Sequence, residues 1–312
     1  MANDTKPRQI KDGFIIGCCL ILAGALIQFT AGPVNWRFFT WPVNLITVSF
    51  LFLLSVIIFA LRDKVRPFYY LGTLHAAVPV MILAVALTIV MGLTRQVAPG
   101  EPSPDPLGLH YMLTSWPFVL IYSLLVIILI QAVLVEITHP SLRKIPAFCF
   151  HLGFVLVLVA GTLGSPDVTS VSMVLDKEHT QHKGIDEFDN EIDMPIALQL
   201  VSFDIEYFEP EEAGASPMMR RMPKKFLGKV HYWTEEDKAG MAEIEVNKPY
   251  KLGKYKIYLE DYDMEDDGSV QTCSVGVVAD PWQPAVYAGA FLMLFGALLL
   301  IFMPRKRKED SK

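Results

Sequence analysis

One histidine stands inside an apolar run that is long enough to cross a membrane. His151 lies in the first turns of residues 148–164, whose other side chains are apolar or small. An imidazole within a bilayer costs free energy unless it is hydrogen-bonded or bound to a metal, so it is a functional candidate by default. Two chemistries fit it: a hydrogen bond to a neighbouring helix, or axial ligation of haem iron by the neutral imidazole.

The other histidines are weaker candidates. His75 lies at a similar depth in another apolar segment, where a hydrogen bond to a neighbouring helix explains it equally well. We expect His110 at the outer edge of a segment and His139 in an inner loop. The i, i+3 spacing of residues 179 and 182, both histidines, suits a metal only on a helix. We predict a solvated loop there instead.

Motifs for other chemistries are missing from the sequence. The four cysteines form no Cys-x-x-Cys pair, which excludes a thiol-disulfide exchange pair and a zinc site of that type. No Cys-x-x-Cys-His is present, so the chain does not carry covalent haem. The sequence also lacks a local nucleophile signature and a Gly-rich nucleotide-binding turn.

Six apolar segments are available to position the candidate histidines. Hydrophobic residues make up 52% of the chain and charged residues 19%, with a mean hydropathy of +0.37, which is typical of a multi-span membrane protein. A helix needs roughly 20 apolar residues to cross a bilayer. The segments that meet this requirement are 14–32, 44–61, 70–93, 112–135, 147–164 and 284–303. The first has no small-residue cleavage site, so we interpret it as a retained helix.

Charged and aromatic residues predict an orientation. Basic residues concentrate in the loops and termini on one side, at positions 6, 8, 11, 62, 64, 66, 143, 144 and 305–308. The opposite short loops carry only Arg37 and Arg95. The positive-inside rule therefore predicts that both termini are cytoplasmic and that residues 165–283 lie outside, in a periplasm-like space. Four tryptophans, at positions 36, 41, 116 and 282, fall near the predicted outer boundaries, as an aromatic belt requires.

The segment between helices five and six predicts a separate domain. Residues 165–283 contain most of the 33 acidic residues and alternate apolar with polar side chains in short runs. Alternating faces are expected at 201–207, 242–246, 255–259 and 270–278. We predict an extracytoplasmic, mainly-β domain of five to seven strands. Its negative charge makes it a poor surface for nucleic acid.

The predicted fold class is thus a polytopic α-helical membrane protein with six transmembrane helices and one inserted β domain. Residues 1–65 form two accessory transmembrane helices, and residues 66–164 form helices three to five. Residues 165–283 form the periplasmic β domain. Residues 284–312 form the last helix and a basic cytoplasmic tail.

Three stretches of the chain carry a family resemblance. The first joins SWPF at 115–118 to FHLGF at 150–154 across a basic loop. The second is MPIALQL at 194–200 with FDIEYF at 203–208, and the third runs from YKIY at 255–258 through DPWQP at 280–284 into the last helix. In order and spacing they resemble ResB (also called CcsB), a membrane subunit of the system II cytochrome c maturation machinery. The likeness covers about residues 72–304, so the first two helices are an addition to the family's core.

The resemblance implies haem handling. ResB-like subunits act with a second membrane protein, CcsA (ResC), whose Trp-rich motif binds haem, and together they carry haem b outward for attachment to apocytochrome c. That motif is absent here, so the chain is expected to be one subunit of a haem lyase (synthase) complex whose attachment chemistry lies mainly in the partner. His151 matches the family's intramembrane haem ligand, and His75 is a weaker haem-binding candidate. No metal other than haem iron is implied. Apocytochrome c and thiol-reducing proteins are the partners implied on the outer face.

Two other classes of function fit parts of the sequence. A di-haem b-type anchor that oxidises quinol would use His75 and His151 as an inner pair, but His110 has no obvious outer partner. A non-catalytic membrane scaffold or sensor with a β-domain receptor would need no haem, and it would purify colourless.

Overall fold

The computed structural model describes residues 10–97, 105–208, 223–236, 238–265 and 269–302. The chain divides into two compact units. The helical unit comprises residues 1–167 and 282–312, and the β unit comprises residues 168–281. Each unit is described by itself below.

The helical unit contains the membrane-spanning segments. Its α-helices are α1 (Ile10–Ala31), α2 (Val43–Leu61), α3 (Arg66–Leu71), α4 (Leu74–Leu93), α5 (Trp116–Thr138), α6 (Ile145–Leu163) and α7 (Gln283–Phe302). All except the short α3 are long and apolar enough to cross a membrane, which makes six candidate spans within the described residues. Large apolar side chains such as Phe29 and Phe291 are exposed on their outer faces, as contact with lipid requires. The prediction of a multi-pass, six-span membrane protein is confirmed.

Two of the predicted segments differ from the helices at their boundaries. The segment predicted at 70–93 breaks at Thr73, whose extended backbone (φ −111°, ψ 155°) separates α3 from α4. The segment predicted at 112–135 begins instead at Trp116. Residues 109–114 form a 3-10 turn, and Pro117 lies in the first turn of the helix, where its missing N–H is tolerated. Its other end extends to Thr138, so Glu136 belongs to the helix.

Helix α5 is the centre of the helical unit and packs against α1, α2, α4 and α6. Apolar side chains around it form a buried cluster, which comprises Tyr70, Ala76, Val80, Ile121, Leu125, Ile128 and Leu129. A buried polar contact joins α5 to the accessory helix α2, since Gln131 donates from Nε2 to the Ser55 carbonyl oxygen at 2.9 Å. The first two helices are therefore packed into the bundle.

Glycines bring α6 and α7 into close contact. A Cβ added to Gly153 would lie 2.5 Å from the carbonyl oxygen of Gly289, so only glycine permits this approach. The packing fixes the rotation of α6 about its axis. Because residues advance by about 100° each around a helix, His151 projects from a different face than Gly153 and does not point at α7.

Tryptophan side chains connect the loops at one end of the helical unit. Trp36 donates its indole N–H to the Leu113 carbonyl at 3.1 Å, and Trp116 donates to the Gly32 carbonyl at 3.0 Å. At the same end, α1, α4 and α6 finish while α2, α5 and α7 begin. The basic loops that follow α2 and α5 lie at the opposite end. Tryptophans and basic loops are thus segregated, as the sequence predicted.

Asp167, just after α6, ties three helices together at the tryptophan end. Its carboxylate accepts hydrogen bonds from the Trp41 backbone N–H, the Asn44 side-chain amide and the Trp282 indole N–H, each at 2.7 Å. Partial burial on its own raises the pKa of Asp167, but the three donors outweigh it and hold that pKa below its usual value. The carboxylate therefore connects the starts of α2 and α7 to the end of α6.

The Asp167 contacts predict a pH-dependent contribution to stability. Asp167→Asn should destabilise the helical unit by about 1–3 kcal/mol at neutral pH, because an amide cannot accept all three hydrogen bonds. The folded pKa lies below the unfolded value of about 4, so the contribution is complete above that pH and is lost as the pH falls through the folded pKa. Thermal unfolding in detergent should show a difference between the two proteins that shrinks with acidification.

A matched control for this experiment is Asp63→Asn. The Asp63 side chain is 84% exposed and lies 3.8 Å from Arg62, so this variant should unfold like the unsubstituted protein. A destabilisation by Asp167→Asn that stays constant from neutral to acid pH would contradict the role given to the carboxylate.

The β unit is one antiparallel sheet of eight strands within the described residues. The strands are β1 (Thr169–Asp176), β2 (Gln181–Asp186), β3 (Glu191–Tyr207), β4 (Pro223–Thr234), β5 (Ala239–Glu245), β6 (Tyr250–Leu252), β7 (Tyr255–Met264) and β8 (Val270–Ala279). Their order is β5-β4-β3-β2-β1-β8-β7-β6. The sheet curls so that its edge strands approach each other, and a bridge pairs Glu245 with Lys248. The inward side chains, such as Leu175, Leu198 and Ile257, form the core of this near-barrel.

The expected strand number of five to seven was too low, and one predicted face was partly wrong. The three-residue β6 is too short to show an alternating pattern. In β3, Met194 and Leu200 are buried, but the register shifts between Leu200 and Ser202. This bulge leaves Val201 39% exposed and then turns Phe203 towards the core. The inward face predicted to begin at Val201 therefore begins two residues later, at Phe203.

Candidate functional site

His151 contacts a carboxylate from the neighbouring helix. Its Nδ1 lies 3.0 Å from Oε1 of Glu136. The side chain of His151 is 32% exposed and that of Glu136 is 12% exposed. The pair joins the second turn of α6 to the last turn of α5. Two ionisable groups therefore meet inside the membrane-spanning part of the chain.

The local sequence explains why the two side chains meet. Residues 139–144 form a short connection that ends in a 3-10 turn, and Pro146 occupies the first turn of α6, where its missing N–H costs nothing. The chain thus reverses within a few residues, and α6 returns alongside α5. In such a hairpin, a residue near the end of the first helix has the same depth as one near the start of the second. Glu136 and His151 satisfy this relation.

The contact has a specific chemical consequence for the imidazole. A neutral histidine that donates Nδ1–H to a carboxylate carries its lone pair on Nε2. In the described part of the chain, nothing hydrogen-bonds to Nε2 of His151. Histidines that bind metals almost always donate their other ring N–H to a carboxylate, a carbonyl or water. The donor set at His151 therefore fits an axial ligand of haem iron.

Glu136 is incompletely satisfied within the described residues. Its Oε2 is buried and meets no hydrogen-bond donor there. A buried carboxylate oxygen without a donor is costly, so a further donor to Glu136 would stabilise this site. Glu136 also borders a cavity of about 440 Å³ beside the α5–α6 connection, lined further by Ile137, Pro140, Ser141, Leu142, Lys144, Ile145 and Phe148. The cavity has the size range of a small-molecule site.

The structure separates His75 from His151. His75 lies in the first turn of α4 with an exposed side chain, and its backbone carbonyl accepts a hydrogen bond from the Tyr70 hydroxyl at 2.8 Å. No hydrogen bond or ring contact joins the two imidazoles in the residues that the structure describes. The sequence allowed a hydrogen bond from the His75 ring to a neighbouring helix. In the structure, the hydrogen bond between His75 and Tyr70 of α3 uses the backbone carbonyl of His75 and not its ring.

The remaining histidines are dispersed. His110 lies in the 3-10 turn before α5, and His139 caps the end of α5. His179 lies in the loop after β1 beside Asp176, with 3.2 Å between Nδ1 and Oδ1, and His182 is an exposed residue of β2. Among the described residues, no group of three or more potential metal ligands forms.

Sequence reasoning missed Glu136. The predicted segment ended one residue before it, so the carboxylate was assigned to the loop. A signal was nevertheless present, because Glu136 is the only acidic residue in the sequence between Asp105 and Asp167. A lone acid beside a lone intramembrane histidine is a reason to test whether two adjacent helices bring them together.

The cysteine of the β unit is unsuited to thiol exchange. Cys273 lies in β8 with 1% of its surface exposed, and burial raises the pKa of its thiol to about 11. Exchange requires an accessible thiolate. We therefore assign Cys273 to the core of the sheet.

The part of the chain that contains His151 matches a known protein family. Residues 140–276 match the ResB-like family. This ResB-like segment includes α6 and the strands from β1 to most of β8, and the resemblance derived from the sequence is confirmed over it. Glu136 precedes the matched region by four residues.

Matches outside the family model are distant or lacking. No curated protein matches the chain. A solved structure titled "Cytochrome c Heme Lyase CcmF" aligns with 84% of this chain at 12% sequence identity and a TM-score of 0.37. The chain spans 46% of the length of that protein. This likeness is too low to establish a shared fold.

Proposed function

We propose that this protein is the ResB-like subunit of a system II cytochrome c biogenesis complex and helps carry haem b across the cytoplasmic membrane. The observation that carries the proposal is the hydrogen bond between His151 and Glu136, whose histidine lies in the segment that matches the ResB-like family. A hydrogen bond between two helices would occur in a scaffold as well. An iron ligand needs, in addition, the second ring nitrogen left available beside such a bond, and this is the arrangement at His151.

In this proposal the chain supplies one axial ligand. Bound haem contributes an iron centre with two axial positions, and Nε2 of His151 would occupy one of them. A second ligand would come from a CcsA/ResC-like partner with a Trp-rich motif. The five tryptophans of this chain are dispersed and form no such motif, so we assign attachment to apocytochrome c mainly to that partner.

The proposed orientation follows from the two ends of the helical unit. The basic loops after α2 and α5 would face the cytoplasm, and the tryptophan end would face outward. His151 would then lie near the cytoplasmic side, where newly made haem enters the membrane. The acidic β unit would lie outside, where apocytochrome c and thiol-reducing proteins would meet the complex.

Haem content tests the proposal directly. The chain, co-expressed with a Trp-rich partner and purified in mild detergent, should contain about one haem b per complex, because His151 is the one iron ligand that we assign to this chain. A pyridine haemochrome spectrum measures the amount and distinguishes haem b from haem c. A colourless complex that still matures cytochrome c would contradict the proposal and favour the scaffold reading.

A further inference from the structure

We infer that Glu136 is the positioning residue for His151: it orients the imidazole and, as an anion, strengthens its donation to haem iron. The inference rests on the proposed function, since it concerns the same histidine. It adds a residue outside the segment that matches the ResB-like family. Haem binding by this chain would then depend on two side chains from two helices, Glu136 of α5 and His151 of α6.

The geometry supports orientation. The 3.0 Å contact holds the imidazole from the side of α5, while α6 supplies its backbone. On the other face of α6, the close approach of Gly153 to α7 limits rotation of the helix. The ring is therefore held from two directions, and Nε2 keeps a fixed direction that an iron ligand requires.

The choice of a carboxylate supports an electronic role. Other polar side chains of α5 contact neutral groups of neighbouring helices. Gln131 donates to the Ser55 carbonyl of α2 at 2.9 Å. Tyr122 contacts the Leu158 carbonyl and the Thr162 hydroxyl of α6, each at 2.6 Å. A carbonyl acceptor would orient an imidazole equally well without the cost of burying a charge. A carboxylate in addition raises the basicity of the ligand, which favours ferric over ferrous iron.

The burial of Glu136 supports the same assignment. Its side chain is only 12% exposed, and Oε2 finds no donor in the described residues. Nδ1 of His151 is thus the hydrogen-bond partner that the described structure provides for this side chain. Loss of that partner would leave a buried, unpaired acid, so the two residues form one functional unit.

Two substitutions separate orientation from charge. Glu136→Gln keeps an oxygen acceptor of similar size and removes the charge, so the complex should keep most of its haem and show a more positive haem midpoint potential. Glu136→Ala removes the acceptor as well, and haem affinity should fall by about 10- to 100-fold. Both variants are measured in the complex with the Trp-rich partner, by haem titration and by spectroelectrochemistry.

The matched control is Gln131→Ala, on the same helix. It breaks a buried contact between α5 and α2 and does not touch His151, so haem affinity and midpoint potential should stay unchanged. Should Glu136→Ala insert poorly, Glu136→Gln still decides the question, because a purely structural pair predicts no change in potential. Unchanged potential and affinity in inserted Glu136 variants, with haem loss in His151→Ala, would overturn this inference alone. Retention of haem by His151→Ala would overturn the proposed function and this inference with it.

Discussion

Replacing His151 with alanine should remove most haem b from the purified complex and abolish cytochrome c maturation. The side chain is the one imidazole that the described structure fixes through a carboxylate within the helices, with Nε2 left available. Removing an axial ligand should weaken haem binding by more than about tenfold, on the scale known for metal sites that lose even a supporting contact. Pyridine haemochrome spectra and haem staining of a reporter cytochrome c measure the two effects.

His75→Ala is the matched control for this experiment. Its ring is exposed and its interhelical contact is made by the backbone, so its replacement should change haem content far less. Equal loss of haem from both variants would instead support an inner His75–His151 pair and the quinol-oxidising alternative. Added imidazole should partly restore haem to His151→Gly, because a small ligand can enter the vacated axial position.

The effect of His151→Ala must be measured with a variant that inserts into the membrane in the same amount as the unsubstituted protein. His151 also forms a hydrogen bond with Glu136. The His151→Ala variant therefore lacks the hydrogen-bond partner that the described residues provide for Glu136. His151→Gln is a useful second variant, since its amide can still donate to Glu136 but is a poor iron ligand. Unchanged haem and unchanged maturation in a variant that inserts normally would refute the assignment of His151.

Expressed without a Trp-rich partner, the chain should mature no reporter cytochrome c. It lacks the motif that binds haem at the attachment site, and its β unit offers only a buried thiol in Cys273. The difference between the chain alone and the complex should be close to all or none, because the proposed division of labour places the attachment site on the partner. Covalent haem on the reporter, detected after denaturing electrophoresis, is the measurement.

Two controls make this experiment decisive. The partner alone shows what it can do without this chain, and a reporter without the Cys-x-x-Cys-His cysteines shows that the signal is covalent haem. Maturation by this chain in the absence of any Trp-rich protein would contradict the division of labour. It would place the attachment chemistry within the 312 residues described by the sequence.

The sequence by itself predicted the membrane class and the six candidate spans, and it singled out His151 as the candidate haem ligand. These follow from local properties: runs of about 20 apolar residues are needed to cross a bilayer, and an imidazole among them stands out without any knowledge of its neighbours. The alternation that marks β-strands is equally local. It failed at Val201 because a bulge depends on the partner strand, which the alternation does not report.

Only the tertiary structure decided what His151 contacts. Glu136 is fifteen residues away in the chain, and its pairing depends on where α5 ends, how the connection turns and how Gly153 sets the rotation of α6 against α7. Each of the three donors around Asp167 likewise lies more than a hundred positions from it in the chain. Such contacts arise from packing between helices, and the composition and periodicity of one helix contain no record of its neighbours.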